Sequence, residues 1–190
     1  MDILELLTSQ MNSPNALSKI GQSVGAEPDK VQQVAQLGMP AILRALGRNA
    51  STSEGATALT GALDQHQNDN VDDIDGFLNH VNTNDGSKIL QHIFGGSGDS
   101  VHNQMAQTTG LQASQVSGIM TQLVPLLMGF LGQQKKQQNL DASGISGLLS
   151  GFTGQGGSSG IMGMATQMLG SNKDGNIIDD IGNILGGLGK

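Results

Sequence analysis

Cysteine, tryptophan and tyrosine are absent from all 190 residues, and four phenylalanines are the whole aromatic content. Without cysteine there can be no disulfide, thiolate metal site or cysteine nucleophile, and the redox compartment is left open. Without aromatic platforms, base stacking is excluded as a means of gripping a single nucleic-acid strand. Positive charge is scarce too: nine Lys and Arg stand against sixteen Asp and Glu, a net charge of -7. The basic residues are scattered, so the field that holds a phosphate backbone is missing and nucleic acid is not an expected partner. Long apolar runs are few. The densest, Leu123 to Leu131, contains Pro125 and is far shorter than the roughly 20 residues that cross a bilayer. The opening Met-Asp-Ile-Leu-Glu-Leu-Leu carries acid where a secretory signal carries base. The expectation is a cytoplasmic protein without a membrane span.

What the chain does have is helical periodicity. From Gln115 to Gly132, Val116, Ile119, Met120, Leu123, Leu127 and Leu131 recur at three- and four-residue spacing. Beyond Leu123, Val124, Leu126, Met128 and Phe130 make the segment apolar on every side, and such a helix must lie inside something. It is the expected central core helix. No segment alternates at period two, so the expected fold class is all-α and multihelical.

Taken in order, Met1 to Leu7 suggests a short helix presenting Ile3, Leu4 and Leu7. Leu17, Ile20 and Val24 stripe a second, capped by Ser13 or Asn15 and stopped at Gly25. Pro28 suits a first helical position and opens a third, with Val31, Val34, Leu37, Ile42, Leu43 and Leu46. Pro40 lies inside it, which predicts a kink or a split near Gly38 to Pro40. Ser51 to Glu54 has capping-box spacing ahead of Leu59, Ala62 and Leu63. Val71 to Val81 reads as another helix, and Asn82-Thr83-Asn84-Asp85-Gly86 as a turn.

From Ser87 the pattern starts again. Ile89, Leu90 and Ile93 match Ile3, Leu4 and Leu7 at an offset of 86. Gly25, Val31, Pro40, Leu46 and Gly47 match Gly110, Val116, Pro125, Leu131 and Gly132 at 85, and Leu59, Ala62 and Leu63 match Ile145, Leu148 and Leu149 at 86. Val71-Asp72-Asp73-Ile74 returns as Ile178-Asp179-Asp180-Ile181, 107 residues on, so the second copy carries extra residues. These fall at about 154–170, a region that opens with the Gly-rich stretch Gly154 to Gly160, expected to act as a connector, and continues into Ile161 to Leu169, which could form an extra amphipathic helix. The expected organisation is two tandem helical repeats, 1–83 and 84–190, packed around the central proline-containing helices as one cooperative domain.

Sites are few. Asn172 and Asp174-Gly175-Asn176-Ile177 look like half a calcium loop, but Gly170 and Ile181 would fall at its first and twelfth ligand positions. A turn that caps the next helix explains them better, and Asn84 to Ser87 likewise. Asp72 with Asp73, and Asp179 with Asp180, could act as acid and base or as metal ligands. Adjacent helical residues diverge by about 100 degrees, so service at a positive helix start is the simpler reading. His66, His80, His92 and His102 lack the spacing of a helical zinc site. No Gly-x-Ser-x-Gly elbow or phosphate loop is present. Ile161, Met164, Ala165, Met168 and Leu169 form an adaptable apolar face behind the Gly-rich connector. Such a face could pack on the protein's own core or dock on a partner.

Thr109-Gly110-Leu111, the core helix with its Leu123-Val124-Pro125-Leu126-Leu127 run, the Gly/Leu-rich stretch beyond it and the Asp-Gly turn before Asp179-Asp180-Ile181 resemble the YidB-like bacterial proteins. These carry the domain of unknown function 937. The resemblance is best from Gly95 to Lys190 and implies a multihelical protein with no assigned activity and no catalytic residues to carry over. The combined expectation is a non-enzymatic interaction or scaffold protein without metal or cofactor. It would bind a protein partner or itself through Ile161, Met164, Met168 and Leu169. Two alternatives are peripheral membrane association through the Gly/Leu-rich Ile177 to Leu188 segment, which lacks basic residues, and a metal protein or enzyme using the paired aspartates.

Overall fold

A computed structural model describes residues 13–153 of the chain. Helix α1 spans Pro14–Val24, α2 Pro28–Asn49, α3 Ser53–His66, α4 Ile74–His80 and α5 Thr83–Phe94. A 3-10 turn at Gly95–Ser97 leads into α6 at Gly98–Thr109, followed by α7 at Ala113–Gln138 and α8 at Ala142–Thr153. No strand occurs among the described residues. The expected helix of Met1 to Leu7 and the connector of 154–170 lie outside them.

Local chemistry sets most of the boundaries. Ser13 Oγ accepts from Ala16 N at 3.2 Å, with Pro14 in the first helical position. Gly25 and Gly110 end α1 and α6 at φ of 68° and 74°, a left-handed conformation that strains any residue with a Cβ. Two expectations are corrected. The cap of α3 is Thr52, whose Oγ1 accepts from Gly55 N, while Ser51 Oγ donates to Arg48 O instead. Asn82 to Gly86 is a helix start: Asn82 Oδ1 accepts from Asp85 N, and α5 begins at Thr83. Helix α2 does not split at Pro40. An interior proline costs about 3 kcal/mol, but Met39, Ile42 and Leu43, on either side of it, are buried. Each buried side chain of that size contributes roughly 1.5–3 kcal/mol, so continuity wins.

The core helix is where the pattern placed it. Every residue of α7 from Gln122 to Gly132 is buried. By length and apolarity α7 alone among the described helices could cross a bilayer, but 78% of its most apolar window is buried inside the molecule. Helices α2 and α7, each with a proline twelve residues past its start, pack together. Helix α1 lies on both, and so does α6. Helix α3 packs chiefly on α7, α8 packs on α2, and α3 and α8 touch each other. Helix α5 covers α7. There the missing side chain of Gly86 makes room for the Thr121 carbonyl and the Pro125 ring.

Candidate functional site

The acidic pairs resolve as helix chemistry where they are described. Asp73 Oδ1 accepts from Gly76 N at 2.9 Å and caps α4, and Asp72 is exposed beside it. No group of three or more His, Asp or Glu able to hold a metal ion occurs among the described residues. Asp179, Asp180, the Asn172 to Ile177 turn and the partner-docking candidates Ile161, Met164, Met168 and Leu169 lie outside them.

The histidines divide into three kinds. His80 and His92 are exposed on α4 and α5. His66, at the end of α3, is a structural tie: its Nδ1 lies 2.7 Å from Asp69 and its Nε2 3.3 Å from Asp85. It thus links α3 and the loop that follows it to the first turn of α5. Beside it Lys135 of α7 pairs with Asp64, and Lys136 Nζ donates to Asn68 Oδ1 at 2.7 Å.

His102 differs from the rest. It lies on the first turns of α6, and its Nε2 is shielded from water without a hydrogen-bond partner. It borders a cavity of about 270 Å³ between α5, α6 and α7. Ser87, Leu90 and Gln91 come from α5, Ser117 and Thr121 from α7, Gly95 and Gly96 from the turn between α5 and α6, and Gly98 from the start of α6. Asp99 completes the lining. Among these, Thr121 Oγ1 donates to Gly118 O at 2.8 Å, whereas the side chains of Ser87 and Gln91, both exposed, and of Ser117 make no hydrogen bond among the described residues. Gly95 has φ of 53°, and open space lies where side chains on Gly95 and Gly96 would stand, so the backbone of the turn is left accessible. The arrangement offers several hydrogen-bonding groups on one concave surface.

Burial lowers the His102 pKa, against a smaller opposing pull from Asp99. The folded protein therefore takes up this proton less readily than the unfolded chain. Stability should be full above the ordinary histidine value of about 6.5 and fall as pH drops through that value towards the folded one. His102→Leu should remove this slope between pH 7 and 5.5. It should also raise stability at pH 7 by about 1 kcal/mol, because an unpaired buried polar atom costs roughly 1–3 kcal/mol. Urea unfolding at both pH values measures each effect, and an unchanged slope would discard the assignment.

Sequence reasoning tested the histidines only for metal spacing and missed this cleft. One signal was available. At the 85-residue offset His102 corresponds to Leu17, a buried core residue, so a titratable ring stands where the matching position is apolar.

The model of a family described as a bacterial protein of unknown function, DUF937, matches residues 5–134. That span starts well before Gly95 and ends within α7. No curated protein and no solved structure matches the chain.

Proposed function

The chain belongs to the bacterial DUF937 family, and we propose that it is a non-enzymatic interaction module of the bacterial cytoplasm, built from an internally duplicated helical body. Duplication is supported by positions 85 apart that occupy matching surroundings. Gln115 Nε2 lies 4.0 Å from where a Cβ on Gly25 would stand, and Lys30 Nζ lies 4.0 Å from the same point on Gly110. The residues 25 and 110, and 30 and 115, are related by one offset, and each contact joins opposite halves. Packing follows suit: α1 lies on α7 as α6 lies on α2, and α3 on α7 as α8 on α2. Such reciprocity is the signature of a two-fold relation. Because α3 and α8 each rest mainly on the opposite half, the repeats are interlocked and not merely strung together.

The observation that carries the interaction reading is how fully the body satisfies itself. Among the described residues Leu37, 41% exposed, is the single large hydrophobic side chain left in water. An apolar docking surface is therefore to be sought beyond residue 153, on Ile161, Met164, Met168 and Leu169, where methionine can adapt to a partner or to a second copy. A chain ending at Gly154 should keep its helical signal and its unfolding midpoint while losing association in crosslinking and pull-down from native cells. If the shortened chain captures the same partner, the binding surface is on the body.

A further inference from the structure

We propose that the exposed face of α2 around Gln36, Leu37 and Pro40 is the docking site for residues 1–7 of this same chain, which cover α2 as α5 covers α7. The inference rests on the duplication proposed above and is independent of where a partner binds.

The two core helices differ on matching faces. At the 85-residue offset Gln36, Leu37 and Pro40 correspond to Thr121, Gln122 and Pro125. The first three are exposed, Leu37 by 41%, whereas Gln122 and Pro125 are buried and Thr121 is half-buried. The prolines make the sharpest contrast, because the residue is the same, it stands twelve residues past each helix start, and only Pro125 is covered. Its cover is α5, where Gly86 admits the Thr121 carbonyl and the Pro125 ring.

The counterpart of α5 is residues 1–7. Ile3, Leu4 and Leu7 match Ile89, Leu90 and Ile93 at an offset of 86, and of these Leu90 and Ile93 are buried and Ile89 half-buried. The outward positions agree as well: Lys88, Gln91 and His92 are exposed, and Asp2, Glu5 and Leu6 stand in their places. Helices this short depend on an apolar surface to pack on. The exchange between halves leaves one such surface, since α1 and α6 already share both core helices and α3 and α8 each rest on the opposite one. The link is long enough. His102 follows Ile93 by nine positions and Leu17 follows Leu7 by ten, so the route that carries α5 into α6 is open to residues 1–7 with one residue to spare. An anchor is present too: Asn49 Nδ2, at the end of α2, donates to Ile93 O at 3.2 Å. The matching residue at the end of α7 is Gln134, whose Oε1 accepts from Gln138, leaving its NH2 for the carbonyl of residue 7.

The test uses the full chain labelled with 15N. Because the chain has no cysteine, a nitroxide on Glu5→Cys, at an outward position, is a single label. The expected result is broadening of the Gln36, Leu37 and Ala41 amides within one molecule. Leu4→Asp in the labelled chain should abolish that broadening and lower the melting midpoint by about 5 °C, while Leu6→Asp should change neither. The pair is discriminating because both residues are leucines two positions apart, and only their match to buried Leu90 and exposed His92 separates them. Three results would overturn the proposal: sharp amides at Gln36, Leu37 and Ala41, equal effects of the two substitutions, or broadening that arises only between a nitroxide-labelled chain and a separate 15N chain, which would make the occupant a second copy. The interaction reading can fail in its pull-down while these results stand, because every residue tested here precedes Gly154.

Discussion

Gly86→Ala should destabilise the protein by about 3 kcal/mol, near the top of the range for overpacking a core. A proline has no N–H, so Pro125 leaves the Thr121 carbonyl without its helical partner. Gly86 of α5 sits against that carbonyl, and a methyl group there would overlap the Thr121 oxygen and lie 3.2 Å from the Pro125 Cδ. Both obstacles are fixed: one is backbone and the other a ring. The strain must then be met by moving α5 away from α7, loosening the packing between the two helices. Gly61→Ala is the matched control, since nothing lies within 4 Å of its added methyl. It replaces the poorer helix former in α3 and should stabilise by up to about 1 kcal/mol. Urea unfolding of the two variants separates the effects, and a loss below about 0.5 kcal/mol for Gly86→Ala would show that α5 does not rest on α7 as described.

Residues 1–83 alone should fail to unfold cooperatively, while an equimolar mixture with residues 84–190 should recover the helical signal of the intact chain. In isolation the first half keeps α1 on α2 but loses the partner of α3, exposing Leu59 and Leu63, and loses the cover that α7 and α8 give to α2. Chains of this size are marginal even with their cores complete. Far-UV circular dichroism with thermal melts reads the result. Independent, reversible melting of 1–83 would contradict interlocking and favour two self-sufficient repeats.

Much of this architecture was legible because the residues that set it act locally or periodically. The all-round apolar run of Leu123 to Leu131 could only be a core helix, and Gly25 and Gly110 marked helix ends by conformational need. The misreadings share one cause: several sequence signals compete, and packing decides among them. Thr52 and Ser51 are equally good caps by type, and Thr52 prevails because Gly55 can approach it. Gly86 looks like a turn glycine from its neighbours Asn84 and Asp85, yet it is needed for contact with a carbonyl 35 residues away. Pro40 allowed either a kink or a split, and the burial of Ile42 and Leu43 keeps the helix in one piece. The 85-residue register hides more. At one offset of 85, exposed Leu37 pairs with Gln122, buried at 6% exposure with its amide bonded to Ser23 and Gly118, an inversion that periodicity alone cannot foresee. The His102 cleft was illegible for a related reason: its lining comes from three helices and a turn, and no spacing rule joins Ser87 to Ser117.

The interlocked arrangement also bears on how the protein is made. The end of α3 at His66 precedes the end of its support, α7, at Gln138 by about 70 residues of translation. At roughly 5–20 residues per second, the ribosome takes about 4–14 seconds to supply that support. Throughout this interval Leu59 and Leu63 are on a nascent chain with nothing to cover them. Slow codons between α3 and α7 should therefore lower the yield of folded protein more than slow codons placed after α8.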